Sequence, residues 1–117
     1  MIIKKTSLVT ETKDNMRGGN GAPVITHVIG GEILGNKGRL YSKIVMQPGD
    51  SIGYHQHVGE QEIYYFLSGE GMVKDNEETI KIYPGDVMIT PDHGYHSIEN
   101  TGTEELVFMA LILNADA

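Results

Sequence analysis

Gly49-Asp-Ser-Ile-Gly-Tyr-His55-Gln-His57-Val-Gly-Glu60-Gln-Glu62-Ile-Tyr-Tyr-Phe-Leu-Ser-Gly69 brings two histidines and two glutamates into one short run. His55 and His57 are two apart, so on an extended strand both imidazoles leave from the same face. Gly59 lets the backbone turn freely, and Glu62 then opens an apolar run to Leu67 that reads as a second strand. Further on, Pro91-Asp-His-Gly-Tyr-His96-Ser-Ile-Glu-Asn100 offers a third imidazole. Three imidazoles and a carboxylate, His55, His57, Glu62 and His96, form a donor set suited to a divalent transition metal.

Taken together, these segments resemble the paired motifs of the cupin family. The first, G-x5-H-x-H-x4-E-x6-G, is met by Gly49, His55, His57, Glu62 and Gly69. The second, G-x5-P-x-G-x2-H-x3-N, is met by Gly85, Pro91, His96 and Asn100. It departs at His93, which stands where the family has glycine; Gly94 follows, so the turn is expected to shift by one residue. The resemblance runs from Leu40 to Leu113. It implies an all-β fold, a double-stranded β-helix or jelly-roll barrel (37–117), with residues 1–36 adding N-terminal strands and a glycine-rich loop. The implied ligand set is nearest to germin and oxalate decarboxylase-like members. Yet Ile52 occupies the position, three before the first ligand histidine, where oxalate decarboxylases carry arginine.

Composition agrees with one small domain. The chain has 117 residues, 39% hydrophobic and 21% charged, ordinary values for a globular protein. No apolar run is long enough to span a membrane, and Met1-Ile-Ile-Lys-Lys-Thr lacks the apolar core of a signal peptide. A cytoplasmic location is expected. The absence of cysteine removes disulfides and thiol chemistry together. A net charge of −7 with scattered basic residues argues against nucleic acid as a partner.

Turn signals recur about every ten residues, the rhythm of a β sandwich or barrel. Two Pro-Gly-Asp turns, at 48–50 and 84–86, precede the two ligand segments. Residues 1–16 read as a short strand and an irregular stretch, Met16 to Gly21 as a surface loop or mobile flap, and Pro23 to Gly30 as a strand in which His27 is no ligand. Along Arg39 to Met46 the alternation turns Leu40, Ser42, Ile44 and Met46 inward and leaves Arg39 outside. Gly71–Lys74 and Thr79–Tyr83 form a hairpin about Asp75-Asn76. Leu106 to Leu113 is apolar on both faces, so something must cover its outer side. A homodimer is expected, with the N-terminal strand, including Ile2 and Ile3, as a partial cover.

By period two, Tyr64 and Phe66 share the Glu62 face, and with Ile44 and Met46 they are expected to line a pocket. Tyr54 and Tyr95 each precede a ligand histidine and should point away from it. Glu60 and His93 are candidates for groups just behind the ligands, although a solvated carboxylate and an exposed turn histidine are the plainer readings. No catalytic residue is assigned, and no arginine or lysine is placed in the pocket. Ligation by nitrogen and oxygen without sulfur favours Mn(II) or Fe(II), with Ni, Zn, Cu or Co able to substitute. Two functions fit: a small metalloenzyme (an oxidoreductase, decarboxylase/lyase or isomerase) acting on a small oxygen-rich molecule chelated at the metal, or a metal-dependent binding or sensor module.

Overall fold

Ten strands turn this alternation into two antiparallel sheets in the computed structural model, which describes residues 1–116. The larger sheet runs in the order β1 (Val9–Thr12), β2 (Val24–Ile29), β3 (Gly38–Met46), β10 (Leu106–Asn114), β5 (Glu60–Ser68), β8 (Val87–Thr90). The smaller runs β4 (Ser51–Gln56), β9 (Tyr95–Glu99), β6 (Gly71–Asp75), β7 (Glu78–Ile82). One helical turn, α1 (Gly31–Leu34), joins β2 to β3. The result is the all-β jelly roll implied by the sequence.

Period two sorts the side chains. Ile44 and Met46 on β3, Tyr64 and Phe66 on β5, Met88 on β8 and Leu106, Phe108, Ala110 and Ile112 on β10 are all buried. Ile52, Val73, Ile82 and Ile98 meet them from the smaller sheet and its borders. Each such large side chain taken out of water contributes about 1.5–3 kcal/mol. Polar residues on the same inward parity, Glu62, Thr90 and His96, are buried with them. They gather at one end of the barrel, and that is where the site lies.

The two Pro-Gly-Asp turns are built alike. Asp50 N–H donates to the Gln47 carbonyl at 2.9 Å and Asp86 N–H to the Tyr83 carbonyl at 3.1 Å. Each aspartate carboxylate accepts from the turn's first N–H, Gln47 at 2.9 Å and Tyr83 at 2.8 Å. Gly49 and Gly85 take φ of 88° and 93°, as the third position of such a turn requires. These turns deliver the chain into β4 and β8.

Several expectations need correction. The first strand is Val9–Thr12, preceded by a single 3₁₀ turn, and it lengthens the sheet edge beside β2, with β2 and β3 between it and β10. Ile2 stays exposed, so this strand is not the cover expected for β10. The stretch Met16–Gly21 is not a free flap. It packs along β4, with Asn20 N–H donating to Ser51 Oγ at 2.8 Å and Ser51 N–H to the Asn20 carbonyl at 2.9 Å. The approach is backbone to backbone: a Cβ on Gly53 would lie 2.0 Å from the Arg17 carbonyl oxygen.

Candidate metal centre

β4 and β9 pair so that His55 stands opposite His96. His57, just beyond β4, is fastened to the other ligand segment by its own backbone: its N–H donates to the Gly94 carbonyl at 3.0 Å, and His93 N–H donates to its carbonyl at 2.7 Å. β5 then brings Glu62 in from the opposite sheet. His57 Nε2 and His96 Nε2 stand 3.1 Å apart, and His96 Nε2 and His55 Nε2 also 3.1 Å. Glu62 Oε1 lies 3.0 Å from His57 Nε2 and 3.2 Å from His96 Nε2. All four donor atoms fall within 4.8 Å of one another.

The far nitrogen of every ring is engaged behind the site. His55 Nδ1 donates to the Gly53 carbonyl at 2.7 Å. His57 Nδ1 lies 2.8 Å from Glu60 Oε1, and His96 Nδ1 lies 2.7 Å from Thr90 Oγ1. With Nδ1 as the N–H, each neutral ring turns a bare Nε2 lone pair inward, and lone pairs 3.1 Å apart repel. Only a cation or added protons reconcile them. Donors about 2.1 Å from a shared ion stand about 3.0 Å apart at right angles, close to the spacing seen here. The side chains therefore fit a divalent metal, with their tautomers set from behind.

Electrostatics agree. Burial lowers His55 to about 4, so the ring is neutral at ordinary pH. His57 is raised, first by the hydrogen bond to Glu62 and then, against burial, by Glu60. Burial alone would raise the Glu62 carboxyl, but contacts with His57 and His96 outweigh it and leave it a carboxylate, at about 2. Tyr64 stacks on His96 with ring centroids 5.2 Å apart. Burial, aided by the neighbouring Glu62 charge, pushes its phenol well above 10.

A cavity of about 60 Å³ opens beside the donors, lined in part by Ile44, Ile52, Tyr64, Arg17 and Arg39. It holds about two waters' worth of space. Met16, Ile25 and Leu40, which line it, also line an outer recess of about 560 Å³. Phe66 and Met46 lie a layer deeper, fully buried in the core rather than on this wall. Tyr54 and Tyr95 stack on each other at 5.3 Å and are exposed, away from the donors.

Glu60 is not a solvated carboxylate: its side chain is only 14% exposed. Arg39 grips it through Nε and Nη2, both at 2.7 Å, while its Oε1 meets His57 Nδ1. The hydrogen bond from the arginine, with help from His57 and against burial, lowers the Glu60 carboxyl to about 2. Arg39 leaves β3 on the outward parity, yet its guanidinium reaches the cavity mouth, which overturns the expected outside placement. Together with Arg17 it also overturns the expectation of a pocket without arginine. His93 is not behind the ligands: its ring is exposed beside Asp92. Nor does the turn shift by one residue. His93 itself takes the left-handed φ of 72°, and Gly94 is needed for space, because a Cβ there would meet the Pro91 carbonyl oxygen at 2.9 Å. His27 meets Ser42 Oγ at 3.0 Å and has no place in the site. Thr90 escaped notice although it shares the inward parity of β8, which was the available signal; Arg17 gave none.

Comparison with known proteins places the chain. The Cupin domain model matches residues 42–112. The Oxalate-binding protein of Thermotoga maritima is 42% identical over 113 residues, 97% of this chain and 93% of that protein. A glucose-6-phosphate isomerase of Thermococcus gammatolerans is 39% identical over 69 residues, but these are 55% of this chain and 36% of the isomerase. A crystal structure described as a predicted oxalate decarboxylase from Thermotoga maritima superposes with a TM-score of 0.92 at 42% identity, covering 97% of this chain and 99% of that one. A putative sugar phosphate isomerase from Acidithiobacillus ferrooxidans gives a TM-score of 0.69 at 33% identity over 80% of this chain and 60% of that one. On the extent of these matches, the chain belongs to the cupin domain family.

Proposed function

We propose that His55, His57, Glu62 and His96 hold one divalent metal, Mn(II) or Fe(II) in preference to Ni, Zn, Cu or Co, and that the chain is a small metalloenzyme acting on an oxygen-rich organic molecule. The observation that carries this is the convergence of three Nε2 lone pairs and one carboxylate oxygen, each ring fixed from behind. A bound metal supplies Lewis-acid polarisation of the ligand's oxygens. The chain's own residues do the rest. Glu62 supplies the one negative charge among the donors. Ile44, Ile52 and Tyr64 give the cavity its dry wall, and its small volume admits only the chelating end of a carboxylate, hydroxy or keto compound.

A second reading, binding without turnover, has its own support. Among the described residues lining the inner cavity, no acid or base is free to move a proton: Tyr64 is held far from ionising and Glu60, behind the ring, is tied to Arg39. The relative named Oxalate-binding protein accords with it. Metal analysis of freshly purified protein, with turnover assays on small carboxylates in air and under nitrogen, separates the readings. Protein that carries no divalent metal and takes up neither Mn(II) nor Fe(II) ends both.

We also propose a homodimer. On the outer face of the larger sheet Val107, Met109 and Leu111 lie beside Val45 and Tyr41 of β3, Ile63 and Tyr65 of β5, and Val87 and Ile89 of β8. At roughly 25 cal/mol per Å² such a stripe favours burial against a like surface. Sedimentation showing only a 12.9 kDa species would refute it. The lack of cysteine supports a cytoplasmic home.

A further inference from the structure

Asn20-Gly21 is the one place in the chain where an asparagine precedes a glycine. Both partners of a ring closure are free there. Asn20 is exposed and, among the described residues, its carboxamide has no hydrogen-bond partner, while the Gly21 N–H makes no hydrogen bond either. Elsewhere one partner or the other is engaged. The carboxamides of Asn15, Asn76, Asn100 and Asn114 all hold hydrogen bonds. At Asn36 the next N–H, that of Lys37, donates to the Leu34 carbonyl at 3.1 Å.

The fold keeps position 21 a glycine. Gly21 takes φ of 71°, and a Cβ there would stand 1.9 Å from Asp50 Oδ1, the oxygen that accepts the Ala22 N–H at 3.3 Å. The other oxygen of Asp50 closes the Pro-Gly-Asp turn at the Gln47 N–H. The turn that feeds β4 therefore demands a residue with no side chain to hinder attack on its neighbour. Asn20 itself is pinned from the other side: its N–H donates to Ser51 Oγ and its carbonyl accepts the Ser51 N–H. Next to it the segment lies flush on β4, where a Cβ on Gly19 would stand 2.2 Å from the Ser51 carbonyl oxygen.

We propose that Asn20 is a self-modification site, at which the exposed carboxamide deamidates through a ring with the Gly21 nitrogen and leaves an isoaspartate in the seam between the N-terminal segment and β4. The Gly21 nitrogen, its proton lost to hydroxide, bonds to Asn20 Cγ; the Cγ–Nδ2 bond breaks and ammonia leaves. Water then opens the cyclic imide at either carbonyl, giving aspartate or isoaspartate, so one water is consumed and one ammonia released. Opening at the original backbone carbonyl routes the main chain through Cγ. That adds a methylene to the backbone and a negative charge near Asp50, and it takes the carbonyl that receives the Ser51 N–H out of the chain. A seam packed glycine against backbone has no slack for the extra atom, so residues 16–20 should lift from β4.

The full chain, Asn20→Gln and Asn20→Asp are incubated in heavy-oxygen water at mildly alkaline pH until a urea-unfolded sample of the wild type is labelled at residue 20, then digested for mass spectrometry. In the folded wild type heavy oxygen should enter at residue 20 and at no other asparagine, with isoaspartate the larger product by electron-transfer fragmentation; Asn20→Gln should take up none. Trypsin applied to the intact aged protein should cut after Arg17 several-fold faster than in fresh protein, because a segment lifted from the sheet can enter a protease. Asn20→Asp, which carries the charge without the methylene, should be cut like fresh wild type. A folded protein that stays unlabelled at residue 20 would show that the seam protects Asn20, and the proposal would fall. Equal labelling at Asn36 would overturn the selectivity, and label at residue 20 without faster cutting would overturn the lifted seam.

Discussion

His57 and His96 are buried alike and aim the same nitrogen at the same point, yet they are held from behind by opposite chemistry. His57 leans on a carboxylate that is itself gripped by an arginine half open to solvent. His96 leans on a fully buried threonine hydroxyl and stacks on Tyr64. One ring is tied to the charged surface, the other to the dry core. The difference teaches that a four-donor site can divide its labour: one side tunes charge and proton affinity, the other fixes position.

Deleting each ring tests this division most harshly. His57→Ala and His96→Ala should both reduce metal content to near zero. Only His96→Ala should also cost about 3 kcal/mol in denaturant unfolding of the metal-free protein, because its ring fills core space. Equal stability losses would erase the contrast.

The next pair removes the partners behind the rings. Glu60→Gln should weaken Mn(II) affinity about 10- to 100-fold with little change in fold. Thr90→Val leaves a buried ring nitrogen unpaired and should instead lower stability by about 1–3 kcal/mol. If Thr90→Val altered only affinity, and Glu60→Gln only stability, the roles would be reversed.

Proton competition gives a third comparison. His55 is held neutral by burial down to about 4, whereas Glu62 and Glu60 raise His57. With its folded pKa raised, His57 keeps a proton to higher pH than a free ring, so it is the first donor lost as pH falls. Mn(II) content should drop steeply between about pH 7 and 5, and loading near pH 7 should release protons. Full occupancy at about pH 4.5 would rule out imidazole ligation.

The smallest effect concerns the backbone seam between the halves. His93→Gly relieves a left-handed residue whose ring makes no use of its place, and should raise stability by about 0.5–1 kcal/mol without changing metal content. A loss of metal would give the exposed ring a role that its position does not.

The sequence made the donor quartet legible because period two and one glycine turn were enough to place His55, His57 and Glu62, and the second segment supplied His96. What stands behind the quartet was not legible. Gly53 lies only two residues before His55 and Thr90 six before His96, but their contacts depend on the irregularity within β4 and on the turn from β8 into β9, which alternation alone does not encode. Arg39 was misread because strand parity fixes where a side chain leaves the backbone, not where a long guanidinium ends. Arg17 was invisible because its conformation is imposed by packing on β4. At His93, where the family motif has glycine, the backbone takes a left-handed φ of 72°, which the motif's glycine could have signalled.

β10 sits at the middle of the larger sheet, between β3 and β5, although it is the last strand of the described chain. Met46 pairs with Leu106 across a long span of sequence, and Phe108 closes on Phe66. Until residues 106–114 are available, β3 and β5 are two loose edges and their apolar faces have no common neighbour. Folding is therefore a late, nearly all-or-none event dominated by distant contacts, slow by the standards of a chain this size. A nascent chain would depend on its charged turns and short strands to stay out of trouble until the central strand arrives.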